Sequence, residues 1–341
     1  HDDNFSQKHH LTLESGTEKS QFYASFFYEN NEGIALKDER EDYGGRVNAN
    51  FKLFDDWLEI RPNISYRQAD RVNVYPNFKQ ALANNPTRSP YDPDSETGYN
   101  VWLNESLDYN VVADAMLTDY QGLDKWFKPE VTLKLNVKAI PGLYYEQIVG
   151  YENRQWEEHE YRPSTHREEL LNSRKGRAKL GFAKTERITS QGFATYIREF
   201  QSGHTLNAVA GYDYSEKNEE LFNMTNYNFS VDGIKYWDIG KGSYLNDGKA
   251  EMKSEKKVTE RLLALFARAN YSYQGKYLLQ ASIRHEGSSK FASDNRWATF
   301  YSASAGWRIS NESFMEDIPW IDDLKIRVAY GEVGNNDFPA T

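Results

Sequence analysis

The chain has 341 residues, with 51 acidic against 41 basic side chains, a net charge of −10 and no cysteine. That charge argues against a nucleic-acid partner, whose phosphates demand a basic face, and the missing thiols exclude disulfides, thiolate metal sites and cysteine nucleophiles. A mean hydropathy of −0.82, with no run near the roughly 18 apolar residues a membrane helix needs, excludes helical membrane proteins, while 24 Tyr, 18 Phe and 8 Trp argue against disorder.

Along the chain the dominant signal is alternation of apolar and polar residues with period two, the mark of a strand with two different faces. Candidate strands fall at 8–15, 20–29, 43–54, 58–69, 129–139, 143–152, 191–200, 204–214, 261–273, 276–286, 299–309 and 324–331. In the third, Arg46, Asn48, Asn50 and Lys52 interleave with Val47, Ala49, Phe51 and Leu53. After the turn Phe54-Asp55-Asp56-Trp57, Leu58, Ile60, Pro62, Ile64 and Tyr66 interleave with Glu59, Arg61, Asn63, Ser65 and Arg67. Pro62 removes a ladder donor and suggests a bulge or a strand end. Later, Val131, Leu133 and Leu135 alternate with Thr132, Lys134 and Asn136, and Leu206, Ala208 and Ala210 flank Asn207.

Connections alternate in length. Short ones sit at 16–19, 55–57, 141–142, 202–203 and 274–275, and long ones at 30–42, 70–128, 153–190, 215–260 and 287–298. The stretch 174–190 is ambiguous, with room for an extra loop hairpin, and 310–323 is the one long connection on the short-turn side. Bacterial outer-membrane barrels have this asymmetry, with short periplasmic turns and long extracellular loops. Their strands need only about 9–11 residues and show lipid only alternate ones, so average hydropathy cannot see them. A soluble sandwich or propeller is the alternative, although its strands usually run about 5–6 residues and it rarely accepts such long loops. The expected fold is therefore all-β, an antiparallel transmembrane barrel segment of about 12 strands. Val47, Ala49, Phe51, Leu53, Ile60 and Ile64 should face lipid, and Arg46, Asn48, Arg61 and Arg67 water.

Residues Leu262 to Met315 read LLALFARANYSYQGKYLLQASIRHEGSSKFASDNRWATFYSASAGWRISNESFM. The pieces are Asn270–Tyr273 and Lys276–Leu279, then Arg284, Glu286–Ser289 and Lys290-Phe291, then Asn295–Trp297 and Trp307–Ser310. This stretch resembles the barrel region of the SusC/RagA family of TonB-linked outer-membrane proteins. His10 to Gly33 and Asp56 to Tyr66 are similar to that family's first hairpins, and Leu324 to Asn336 to a later strand and turn, so the resemblance covers essentially the whole chain. Glu286, Tyr301 and Val333 depart from it, standing where Asp, Pro and Thr are common. The resemblance implies a larger barrel of about 22 strands, preceded by a plug. Residues 1–341 would then be its central part, without plug, TonB box or C-terminal strands. The polar start His1-Asp2-Asp3, with no export signal, fits that expectation.

Implied with the family is energised import of nutrient oligomers, oligosaccharides before oligopeptides. The implied partners are a SusD-type surface lipoprotein acting as a lid and the TonB complex drawing on the proton gradient. No cofactor is implied, and no catalysis. A passive porin or adhesin barrel and an outer-membrane enzyme stay open as alternatives.

Site-level signals are thin. In the loop Pro90 to Gly98, Asp92, Asp94 and Glu96 stand two apart like ligands of a calcium loop, but Gly98 falls one place late for an EF-hand. Cargo-contact candidates are Tyr91, Asp92, Asp94, Trp102, Tyr236 and Trp237, with Tyr109 and Trp156 as further loop aromatics able to stack on sugar rings. The stretch Trp156 to Glu169 holds His159 and His166 among carboxylates without tight zinc spacing, and is expected to be a solvated loop.

Overall fold

The computed structural model describes residues 5–74, 77–103, 108–316, 318 and 320–335. Twelve strands form one sheet in strict sequence order. They are β1 (Gln7–Gly16), β2 (Ser20–Glu32), β3 (Asp38–Leu53), β4 (Leu58–Asn73), β5 (Asp119–Asn136) and β6 (Leu143–Arg162). Then follow β7 (Arg177–Phe200), β8 (His204–Tyr227), β9 (Glu251–Tyr273), β10 (Tyr277–Ser288), β11 (Trp297–Arg308) and β12 (Lys325–Gly331). Every neighbouring pair is antiparallel. Among the described residues β1 and β12 do not pair with each other, so the sheet is open. Among the described residues three α-helices of at most 7 residues lie in the long connections, α1 (Phe78–Ala83), α2 (Val111–Leu117) and α3 (Arg167–Leu171), along with short 3-10 turns.

The register carries one face across all twelve strands. Directly opposed residues share a face, and the chain of pairs Leu13–Ala24–Val47–Ile64–Pro129 runs along the apolar one. Farther round, Ala194–Ala210–Ala267–Ile283–Tyr301 continues it. Large apolar side chains on this face are open: Leu11 is 57% exposed, Phe22 45%, Ile64 47%, Leu265 55% and Val328 70%. A water-soluble monomer rarely carries such a belt, and a lipid solvent requires it. The expected outward residues, Val47, Ala49, Phe51, Leu53, Ile60 and Ile64, all lie on it, and Arg46, Asn48, Arg61 and Arg67 lie opposite.

Polar side chains on the lipid face satisfy one another. The Tyr145 hydroxyl donates to Gln147 Oε1 at 2.7 Å, Tyr212 donates to the same atom at 3.0 Å, and Gln147 Nε2 donates to Ser190 Oγ at 3.1 Å. Lipid offers no replacement partner, so the quartet closes on itself.

Five strands are much longer than the alternation suggests. β5 to β9 run 18, 20, 24, 24 and 23 residues, where a membrane crossing needs only about 9–11. The expected loop 153–190 is thus largely strand, half of 215–260 is strand, and 174–190 belongs mostly to β7 rather than to a separate hairpin. The reason is chemical. Beyond the lipid belt the outward positions become Lys184, Glu186, Asn218 and Glu220, so apolar alternation stops while the ladder continues. Pro62 likewise ends nothing: pairing with β3 lapses between Asn48–Asn63 and Phe51–Ile60 and resumes in the same register, with no bulge.

The short turns are tight. Gly142 has φ of +89°, and a Cβ there would lie 1.9 Å from the backbone oxygen of Ile197. Gly142→Ala should cost at least about 1–3 kcal/mol, seen as a lower urea midpoint for the barrel in vesicles; an unchanged midpoint would mean that this turn is built differently. On the same rim Glu312 accepts from Tyr277 Oη at 2.7 Å, Trp307 Nε1 at 3.0 Å and Lys276 Nζ at 3.0 Å. The Tyr277, Trp307 and Lys276 donors hold its carboxyl down to about 2. The stabilisation is therefore complete above the ordinary glutamate range and disappears as pH falls toward about 2. The stability gap between wild type and Glu312→Gln should close over that interval; a gap independent of pH would contradict the assignment.

Candidate functional site

Opposite the lipid belt lies a wall of charges and amides. Arg61 pairs with Glu146 and approaches Glu59 at 3.9 Å, beside Asn48, Asn50 and Thr132 along one depression. Nearer the projecting end, Asp42 is 4% exposed and takes hydrogen bonds from Arg40 and from Arg67 Nε at 2.9 Å. Arg154 grips Asp124 with both arms, at 3.0 and 2.7 Å. Such ladders suit a water-filled interior, where charges stay hydrated yet are ordered by forked contacts.

The projecting strands and their connections build a folded assembly with its own core. Tyr161, Ala178, Phe229 and Tyr236 are buried together, with Leu180, Ile234 and Ile239 against them. Tyr161, Ala178 and Leu180 continue the outward face, so the connection after β8 folds back over the outside of the projecting sheet. Asp232 fastens it, accepting from Tyr161 Oη at 2.6 Å and from Ser164 Oγ at 2.7 Å. Burial, then the Asp232 contact, push the Tyr161 phenol far above its ordinary range.

A second knot joins the β4–β5 connection to the β6–β7 connection. His166 is fully buried; its Nδ1 accepts from the Glu168 amide at 3.2 Å and caps α3, which leaves the proton on Nε2 for Asp114 Oδ1 at 2.9 Å. Burial favours a higher value for the Asp114 carboxyl, but His166, Arg162 and Arg167 outweigh it and hold the group below the ordinary range. Glu169, also fully buried, meets Arg174 at 2.8 Å. Arg167 donates to the Trp102 carbonyl at 3.1 Å, and Lys37 to those of Met116 and Thr118 at 2.8 and 2.9 Å. The expectation of a solvated loop at 156–169 is overturned. Trp156 lies in β6 on the inner face, His159 stacks on Tyr236 with ring centres 5.1 Å apart, and His166 is core.

The cargo-contact candidates are not gathered at one point. Trp102 is 5% exposed under the Arg88 guanidinium, and Tyr236 is 7% exposed, so packing occupies both rings. Tyr91 and Trp237 are open, at 60% and 74%. Asp92 and Asp94 sit in a small hairpin closed by the Tyr91–Tyr99 bridge, where Asp92 Oδ1 accepts from the Asp94 amide at 3.1 Å. Among the described residues no group of three His, Asp or Glu is placed to hold a metal ion, Asp92, Asp94 and Glu96 included. The inward rows around Asp42 and Asp124 are absent from the candidates, although alternation alone places Arg67 inward.

A family model for TonB-dependent receptor-like β-barrels matches residues 151–339. TonB-dependent receptor P39 of Formosa agariphila is 26% identical over 339 residues, covering 95% of this chain and 30% of that protein. TonB-dependent receptor SusC of Bacteroides thetaiotaomicron is 25% identical over 362 residues, covering 97% and 34%. The chain thus spans about a third of the length of these curated relatives. Among solved structures, the RagAB peptide transporter superposes with a TM-score of 0.79 at 20% identity, covering 98% of this chain and 37% of that one. The siderophore receptor PiuA of Acinetobacter baumannii gives 0.51 at 10% identity. Both likenesses concern the fold.

Proposed function

The chain belongs to the TonB-dependent receptor family of outer-membrane β-barrels, and from that premise we propose that it forms part of the wall of an active importer of nutrient oligomers. Oligosaccharides are the favoured cargo and oligopeptides the second. A SusD-like lipoprotein serves as lid, and TonB supplies the work of the proton gradient, so the chain needs no cofactor and alters no bond in its cargo. Further strands of the same protein close the barrel, a reading supported by the length of the relatives and by the unpaired edges of β1 and β12.

The observation that carries this reading is a single sheet with lipid chemistry on one face, water chemistry on the other and, among the described residues, a folded assembly at one end. A passive pore would share the two faces but would work without energy. The test is growth on oligosaccharides or oligopeptides as sole carbon source, with and without the full-length gene and with and without TonB. Growth should require both; growth that survives loss of TonB would promote a passive porin instead.

A further inference from the structure

The inner face of β3 to β6 carries three adjacent rows just below the folded assembly. One row runs Arg40, Arg71, Gly122, Glu158; the next Asp42, Ala69, Asp124, Trp156; the third Gly44, Arg67, Trp126, Arg154. Four guanidinium groups, on Arg40, Arg67, Arg71 and Arg154, thus share these rows with three carboxylates, Asp42, Asp124 and Glu158. The two aspartates are committed: Asp42 to Arg40 and Arg67, Asp124 to Arg154. Glu158, in the row of Arg71, is held by Lys179 at 2.7 Å. Among the described residues Arg71 has neither an ion-pair nor a hydrogen-bond partner, and its Nε is buried and unsatisfied.

That arrangement costs stability. Arg40 and Arg71 stand directly opposite in the ladder, and like charges in that relation repel. Ala69 and Gly122, beside Arg71, carry no charge, and the Tyr120 hydroxyl lies over Gly122. With Glu158 held by Lys179, one guanidinium of the four, that of Arg71, is left over in a chain of net charge −10. Arginines held by aspartates present their remaining N–H groups in a fixed fork, the geometry that suits carboxylate and sulfate. The Arg67 and Arg154 side chains are 43% and 57% exposed, and between them stands Trp126, 38% exposed.

We propose that these rows form a binding subsite for an acidic oligosaccharide, a carboxylate or sulfate of one unit taken by Arg71 with Arg40 and a further ring of the same oligomer, about 13 Å along the wall, lying on Trp126. The assignment rests on the importer reading for its cargo, but its chemistry is tested at equilibrium, where no energy is needed. An acidic peptide would satisfy the arginines without needing the indole surface, which is why the sugar is favoured.

The experiment uses the full-length transporter purified with its lipoprotein partner and titrated by calorimetry with trigalacturonate, a sulfated galactotriose, neutral galactotriose and triglutamate. At least one acidic trimer should bind about tenfold or more tightly than galactotriose, the value of one lost hydrogen bond to a charged group. Arg71→Gln should abolish that preference, Arg71→Lys should keep part of it, and Trp126→Ala should weaken the acidic and neutral trimers alike. Heat-modifiable gel mobility checks that each variant still forms a barrel. Equal binding of acidic and neutral trimers, or binding of none, overturns the subsite, as does an unchanged preference in Arg71→Gln. Triglutamate binding as tightly as the sugars would overturn the sugar assignment. Uptake that ignores TonB, with these affinities intact, would sink only the importer reading.

Discussion

Lysine in place of Ile64 is expected to cost roughly 2–4 kcal/mol of folding stability, the penalty for a cation near the middle of the lipid belt. Ile64 is 47% exposed and pairs with Val47 and Pro129, so a cation there has only lipid and apolar neighbours. The control is one residue away. Asn63 points inward between Asn48 and Glu130, and lysine there gains water and a carboxylate neighbour. Urea unfolding in lipid vesicles should separate the two by nearly the full penalty. Equal losses at both positions would mean that the two faces have been assigned wrongly.

The second large effect lies in the projecting assembly. Arg174→Met should destabilise it by roughly 3–5 kcal/mol, because a buried carboxylate loses its counter-ion. Glu169 is fully buried, meets Arg174 Nε at 2.8 Å, and has its carboxyl pushed up by burial against the pull of Arg174. Without Arg174 that carboxyl rises further, so acidification should restore part of the loss, and Glu169→Gln in the same chain should restore more. Arg174 also lies 4.3 Å from the Tyr227 ring centre, a contact methionine keeps only in part. Hydrogen exchange should report faster opening of 163–176 while β10 to β12 stay protected. If β10 to β12 open together with it, the assembly is not an independent unit.

How far the sequence could be read follows from which solvent wrote each part of it. β1 to β4 and β10 to β12 were legible, because lipid enforces apolar residues at alternate positions. The expected 8–15 is Gln7–Gly16, and 299–309 is Trp297–Arg308. β5 to β9 were legible only within the belt. Past Ile188 in β7, toward its start, the outward residues are Glu186 and Lys184, which pair with Asn218 and Glu220 but carry no apolar rhythm. The ladder there is held by backbone bonds and charge pairs such as Lys179–Glu158, and polar strands look like loops to any pattern based on hydrophobicity.

Site residues were less legible for a related reason. Trp102 and Tyr236 attract notice as loop aromatics, but a large projecting assembly needs a core, and both rings are used for that. His166 looks solvated among its carboxylates, yet its burial depends on α2, about fifty residues earlier in the sequence. The inward arginines follow from the alternation. Extending the alternation of 58–67 by two steps puts Arg71 on the inner face with Arg67, and only the cross-strand register, which brings Arg40 opposite it, required coordinates.

One continuous sheet has lipid on one face and water on the other, and the barrel wall and its transport role both require this. The chain contains no cysteine, so single cysteines can be introduced one at a time from Arg46 to Leu53 in the full-length protein, spin-labelled and studied in outer-membrane vesicles. Labels at 47, 49, 51 and 53 should be relaxed by oxygen and those at 46, 48, 50 and 52 by a water-soluble nickel chelate, in strict alternation. A profile with no period of two, or with the chelate reaching 47, 49 and 51, would contradict the barrel wall and the transport reading built on it.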